Sequence, residues 1–420
     1  MSLALKTYGL ATRLLEPLAP RILRRRAGGG KEDPFRIDER LGFATRGRPG
    51  GPLVWVHGAS VGETLSALPL IEQIGRERPG ITVLVTSGTT TSAEILAARL
   101  PPFALHQYVP VDGPAAARRF LDHWRPDLLI LLEGELWPNL LRQARAQGCR
   151  LALVSARFTE ASARGWRRVR SAARQIFSAF DLILPQDDAS ARRLAELGIQ
   201  SQGRANLKLS GPALSYDATA LKALEAAAGS RPVVVSASTH PGEEQITDRA
   251  VSTLTDRPLH LIAPRHPARA DRIEAELIMA GRSVARRSRD EPIMPDTDVY
   301  LADTLGELGL FFELADAVLL GGGWAEGVGG HNPLEPARQG RAVISGPHVS
   351  NWASVFSALL AADAVRQVEA TGLDSALGNL MADPGARTAL AGRALAFARQ
   401  QQGVIEETWT MLSPLMPSCR

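Results

Sequence analysis

Cysteine is nearly absent. Of 420 residues only Cys149 and Cys419 carry thiols, too few and too far apart for a disulfide framework or a cysteine zinc cluster, which points to a reducing compartment. The eight histidines show no HExxH or comparable ligand spacing, so no structural or catalytic zinc is expected. Aromatic residues make up 5% of the chain, and no basic stretch is interleaved with stacking residues, which argues against nucleic acid as a partner. Long uncharged apolar runs are missing as well. The first 23 residues carry Lys6, Arg13, Glu16 and Arg21 and are broken by Pro17 and Pro20, whereas a spanning helix needs about 20 mostly apolar residues. They also lack a signal-peptide layout, since no small-residue cleavage site follows a clean apolar core.

Apolar side chains are plentiful. At 45% hydrophobic content a chain of this length can fill two cores, so two domains are expected. Strand-like runs separated by helical stretches recur between residues 53 and 368, the pattern of parallel α/β sheets. The net charge is +4 and the isoelectric point about 9.4. Arginine clusters at 24–26 and 164–174 suit a phosphorylated small molecule or anionic lipid, with a solvated basic surface as the plain alternative. Leu3, Leu10, Leu14 and Leu18 can share one helical face ahead of Arg24 to Arg26. Such a segment can lie on an anionic membrane surface or pack as an ordinary amphipathic helix on its domain.

The polar residues with chemical potential sit where strands run into helices. Residues 53–56 read as a buried strand, 57–62 as a tight loop, and Glu63 as the start of a helix. Ser60 and Glu63 have capping-box spacing, yet a carboxylate beyond the carboxyl end of a parallel strand also faces the crevice where such sheets bind ligands. Spacing alone leaves both roles open. A strand at 128–132 ends in Glu133-Gly134-Glu135, with Glu133 suited to hydrogen bonding or to orienting a cation, and Asn206-Leu207-Lys208 comes near the end of the first domain. In the second, a strand at 259–263 ends in Pro264 and Arg265, a guanidinium suited to phosphate. Leu305, Gly306 and Glu307 lie in the next such turn. The stretch 321–347 runs from an apolar strand through a glycine-rich loop to a helix. There Asn332 can cap, Pro333 suits the first helical position, and Glu335 lies three residues after the cap.

The order of these turns, with ASVGET around Glu63, EGELWPN from Glu133, NLK ending at Lys208 and NPLE at 332–335, resembles the 3-deoxy-D-manno-octulosonic acid (Kdo) transferases of lipid A and lipopolysaccharide biosynthesis, from the N-terminal segment to the final helices. The resemblance implies an α/β fold of the GT-B glycosyltransferase type, with two Rossmann-like domains facing across a cleft and an N-terminal membrane-associated helix. It divides the chain at 1–27, 28–212 and 213–420, where the last helix can cross back. It implies an inverting, metal-independent transfer of Kdo from CMP-Kdo, with no cofactor, to a lipid A precursor of the lipid IVA type at the cytoplasmic face of the inner membrane. By the same resemblance Glu63 is the proton acceptor, and Glu133 and Lys208 stabilise the transition state. Pro264, Arg265, Leu305, Gly306, Glu307, Asn332, Pro333, Leu334 and Glu335 bind CMP. The chain departs from the family pattern at Gly134, at Leu305, and at Gly327-Val328 where relatives carry one Arg. A GT-B transferase using a UDP-sugar on another lipid, and a catalytically silent nucleotide-sugar binder at a membrane, are the alternatives.

Overall fold

Runs such as LVWV at 53–56 and LLILL at 128–132 are apolar at every position because both faces of the sheet they build are covered, the signature of buried parallel strands. The computed structural model describes residues 2–211 and 213–418; Met1, Pro212, Cys419 and Arg420 lie outside the described residues, and with them the second cysteine. The chain forms two compact units, Met1–Gly211 together with Gln402–Arg420, and Pro212–Gln401.

The first unit is built on six parallel strands: β1 (Leu53–His57), β2 (Thr82–Ser87), β3 (Ala104–Tyr108), β4 (Leu128–Leu132), β5 (Arg150–Ala156) and β6 (Leu182–Pro185). Their order in the sheet is β3-β2-β1-β4-β5-β6. Side chains alternate between two cores, as a period of two requires. Trp55, Leu129 and Leu131 join Phe120 and Trp124 on one face. Val54, Val56, Ile130 and Leu132 join Leu70, Ile71 and Ile74 on the other. That second core also takes Ile405, Leu412 and Met416. The helix Val404–Leu412 is thus part of the first unit, packed on the helix Val61–Glu77 and the 207–209 turn.

The N-terminal segment forms helices Leu3–Leu15 and Ala19–Gly28, joined by a short 3-10 turn. Leu5 and Leu23 are buried, and Tyr8 Oη donates to Asp112 at 2.8 Å. Glu16 accepts from the amides of Ala115 and Ala116 at 3.0 and 2.6 Å. It thereby caps the helix Pro114–Trp124, whose own cap residue Gly113 has no side chain to offer. A Cβ on Gly113 would lie 2.4 Å from Glu16 Cδ. The segment is therefore docked on the unit, while Leu3, Leu10, Leu14 and Leu18 remain exposed. Among the described residues no helix is long and apolar enough to cross a membrane.

The second unit carries seven parallel strands: β7 (Val233–Thr239), β8 (Leu259–Pro264), β9 (Val284–Arg286), β10 (Val299–Leu301), β11 (Ala317–Leu320), β12 (Ala342–Ser345) and β13 (Arg366–Gln367). The order is β13-β12-β11-β7-β8-β10-β9. Strands β9 and β13 are too short, at three and two residues, to leave a readable alternation in the sequence. In both sheets one strand bulges at a left-handed serine: Ser155 in β5 and Ser238 in β7, each at φ 57°.

Candidate active site

In the first unit the polar groups gather at the carboxyl edge of the sheet, around the point where strand order reverses between β1 and β4. Glu63 enters from β1 in the first turn of the helix Val61–Glu77. Ser60 Oγ caps the Glu63 amide at 3.3 Å and donates to Glu63 Oε1 at 2.8 Å, and the Ala59 amide donates to Oε2 at 2.8 Å. The capping reading is thus realised, with the carboxylate returning to Ala59 rather than to the Ser60 amide. The side chain is 9% exposed. Burial raises its pKa above the usual carboxyl value, and the charge of Glu133 raises it further; the two hydrogen bonds and Lys208 oppose that shift.

Glu133 comes from the end of β4 and forms an ion pair with Lys208 Nζ. Its backbone is left-handed at φ 57°, a conformation costly for a residue with a Cβ and held here by its neighbours. The Glu133 amide donates to Val154 O at 3.1 Å, and Arg157 N donates to Glu133 O at 2.7 Å. Lys208 lies beyond β6 in a turn pinned at two points: Leu207 N donates to Ser155 Oγ at 3.0 Å, and Lys208 N to Asn206 Oδ1 at 3.2 Å. The serine bulge of β5 therefore sets the lysine. Glu63, Glu133 and Lys208, scattered along the sequence, form one electrostatic cluster.

In the second unit the expected residues follow β8, β10 and β11. Pro264 ends β8, and the Arg265 amide donates to Thr239 O at 3.0 Å while its side chain is exposed. Leu305 is 77% exposed beside Gly306, at φ 84°, and Glu307 is held by Arg287 at 2.7 and 3.2 Å and by Thr304 Oγ1. The helix after the glycine loop is only Leu334–Arg338, with Pro333 at the cap position, one residue later than the sequence reading placed it. Asn332 still caps: its Oδ1 accepts from Leu334 N at 3.1 Å, and its Nδ2 donates to Glu335 Oε1 at 3.3 Å. Burial raises the Glu335 pKa against Asn332 and the charges of Arg338 and Arg265.

A profile described as 3-Deoxy-D-manno-octulosonic-acid transferase (kdotransferase) matches residues 35–210. The 3-deoxy-D-manno-octulosonic acid transferase of Bordetella pertussis is 38% identical over 429 residues, covering 96% of this chain and 97% of that protein. The chain belongs to the 3-deoxy-D-manno-octulosonic acid transferase family. The 3-deoxy-D-manno-octulosonic acid transferase of Rickettsia bellii is 31% identical over 92% of this chain and 94% of that one. Among solved structures, a glycosyltransferase from Rickettsia africae superposes with a TM-score of 0.60 at 10% identity, covering 87% of this chain and 99% of that one. The two-sheet α/β arrangement of this Kdo transferase family member thus resembles GT-B glycosyltransferases.

Two residues that were not singled out from the sequence, Glu243 and Glu244, organise the second unit's edge. Glu243, 1% exposed, accepts from four backbone amides: His240 at 2.9 Å, Gly322 at 2.7 Å, Trp324 at 2.9 Å and Ala325 at 3.2 Å. It ties the glycine loop after β11 to the turn after β7. Glu244, fully buried, takes both arms of Arg269 at 3.0 Å and Thr239 Oγ1 at 2.7 Å. The available signal was the pair itself, two consecutive carboxylates opening a helix behind Gly242.

Proposed function

We propose that this chain transfers Kdo from CMP-Kdo to a sugar hydroxyl of a lipid A precursor of the lipid IVA type, with inversion and release of CMP. The observation that carries this reading is the cluster of Glu63, Glu133 and Lys208 at one sheet edge, in a chain of this family. Capping and catalysis are compatible at Glu63. Each carboxylate oxygen has two lone pairs and the cap occupies one on each, which leaves acceptor capacity for a hydroxyl proton. Burial beside Glu133 makes the group a stronger base than an ordinary glutamate.

Glu63 removes the acceptor hydroxyl proton as that oxygen bonds to the anomeric carbon of Kdo. The anomeric carbon–oxygen bond to the phosphate breaks, and CMP departs with the electron pair. Lys208, oriented by Glu133, stabilises negative charge developing in the transition state. In the second unit, Pro264 and Arg265 with the turns at 305–307 and 332–335 hold CMP, Arg265 facing its phosphate.

Incubation with CMP-Kdo and a tetra-acylated disaccharide should yield a lipid heavier by Kdo in the mass spectrum. Glu63→Gln should lose about 10²–10⁴-fold in transfer while binding CMP normally. Wild-type turnover in that variant removes Glu63 from the mechanism. Release of UDP from a UDP-sugar assigns the other donor, and donor binding without transfer assigns a silent binder.

Attachment is peripheral in this reading, at the cytoplasmic face of the inner membrane where the lipid acceptor resides. The exposed Leu3, Leu10 and Leu14, followed by Arg24 to Arg26, supply the apolar face and basic flank of an interfacial helix. Deleting the segment would also remove the Glu16 cap, so substitution is the cleaner test. Leu3, Leu10 and Leu14 changed together to Ser should shift the protein from the membrane to the soluble fraction. Unchanged sedimentation with membranes places the attachment elsewhere.

A further inference from the structure

Three histidines meet at the carboxyl edge of the second sheet: His240 after β7, His266 after β8 and His331 in the loop after β11. The rings of His240 and His331 have Nε2 atoms 3.0 Å apart, and His266 stands edge-on to His240 with centroids at 6.0 Å. The arrangement is built into the fold. Glu243 accepts from the His240 amide as well as from the glycine-loop amides. Gly322, at φ 73°, has no room for a side chain, because a Cβ there would lie 2.8 Å from the ring carbon Cδ2 of His331. One carboxylate and one glycine thus shape the loop around the histidine pair.

We propose that His240 and His331, with Arg265, seat the phosphate of the donor nucleotide, and that the pair takes up one proton when a phosphate dianion binds or forms there. The inference rests on the donor-site reading above and adds residues to it. A hydrogen bond between two imidazole nitrogens needs one donor and one acceptor. In the neutral pair the ring that donates through Nε2–H has a bare Nδ1, while the accepting ring carries its hydrogen on Nδ1. A proton added from solvent to the bare Nδ1 leaves the Nε2 bridge intact. Both Nδ1 atoms then become N–H donors, and the pair gains a positive charge.

The surroundings hold that proton off until an anion arrives. Burial lowers the pKa of His331 to about 4, helped by His240, Arg265 and His266. Burial likewise lowers that of His240, with His266, Arg269 and Arg265 in the same direction and Glu243 opposing. Arg269 is already matched by Glu244, which leaves Arg265 as the cation facing the pair. A phosphate reverses this balance. In the transfer it passes from diester monoanion to monoester dianion as the glycosidic bond breaks, so a proton on the pair offsets the new charge on the leaving group.

Titration calorimetry of the full chain with CMP tests this. At pH 7.5 CMP is mostly dianionic, its second ionisation lying near 6 as for other phosphate monoesters. In buffers of different ionisation enthalpy, wild type should take up a proton, to at most about one per CMP, and take up none with cytidine. CMP affinity should fall as pH rises from 7 to 9. His240→Gln and His331→Gln keep a neutral amide donor but cannot titrate. Each should lose the uptake and the pH slope and bind CMP roughly 10–100-fold more weakly, as for loss of a hydrogen bond to a charged group. Cytidine affinity should be unchanged, which reports that the site is folded. CMP binding without proton uptake, or with uptake that survives both substitutions, overturns the histidine proposal and leaves the donor-site reading standing. Failure of the wild type to bind CMP at all overturns both.

Discussion

Glu63 serves a helix and, in the proposed reaction, a substrate, and its neighbours decide whether it can do both. Its carboxyl is raised by burial and by Glu133 and lowered by Lys208. A base must be ionised, so kcat/KM should fall on acidification through this raised value rather than through the ordinary carboxyl range. Glu133→Gln removes the like charge and leaves Lys208 unmatched, so the acid limb should move to lower pH. Lys208→Met leaves Glu133 unmatched, and the limb should move to higher pH. Opposite displacements in the two pH profiles are the expected result; displacement in the same direction would detach the limb from Glu63. The stability linkage has the matching sign. A carboxyl raised in the folded state favours folding below the ordinary carboxyl range, and that contribution is lost as pH rises through the raised value. The Ser60–Glu63 spacing was legible in the sequence, but it left cap and base equally open. The groups that separate them, Glu133 and Lys208, come from other strands.

At the level of elements, the glycine loop after β11 depends on one carboxylate. Four amides converge on Glu243, and Gly323 and Gly346 approach so closely that a Cβ on Gly346 would lie 2.2 Å from Gly323 O. Glu243→Gln keeps the shape but exchanges one acceptor oxygen for an NH2 group facing backbone N–H donors. The loss should be on the order of 2–3 kcal/mol, read as a lower midpoint in urea unfolding, and CMP binding should weaken with it. An unchanged midpoint would mean the amides find other acceptors. The loop itself was readable from its glycines, and Asn332 as a cap from its position before Pro333. The Glu243 anchor was not, because it joins the turn after β7 to the loop after β11, neighbours only once the sheet order is known.

For the whole molecule, residues 402–418 complete the first unit. Ile405, Thr408, Leu412 and Met416 are buried there, and Arg78 stacks over Trp409 at 5.5 Å. Each large apolar side chain so buried contributes roughly 1.5–3 kcal/mol, against a total stability of about 5–15 kcal/mol for a domain. A chain ending at Gln401 should therefore lose transfer, because the helix Val404–Leu412 supports both the Glu63 helix and the Lys208 turn. It should keep CMP binding, whose residues lie in the second unit. Transfer that survives this truncation would show that the first unit stands without its C-terminal cover. Sequence alone determined the α/β class, most of the strands and the turns that carry polar groups, since hydrophobic period, capping and glycine placement are local properties of the chain. Tertiary structure alone decided which turns are neighbours: Lys208 with Glu133, Glu243 with the glycine loop, His240 with His331, the last helix with the first unit. Parallel strands are joined by long crossovers, so neighbours in a sheet are distant in sequence, and no local pattern records which strand lies beside which.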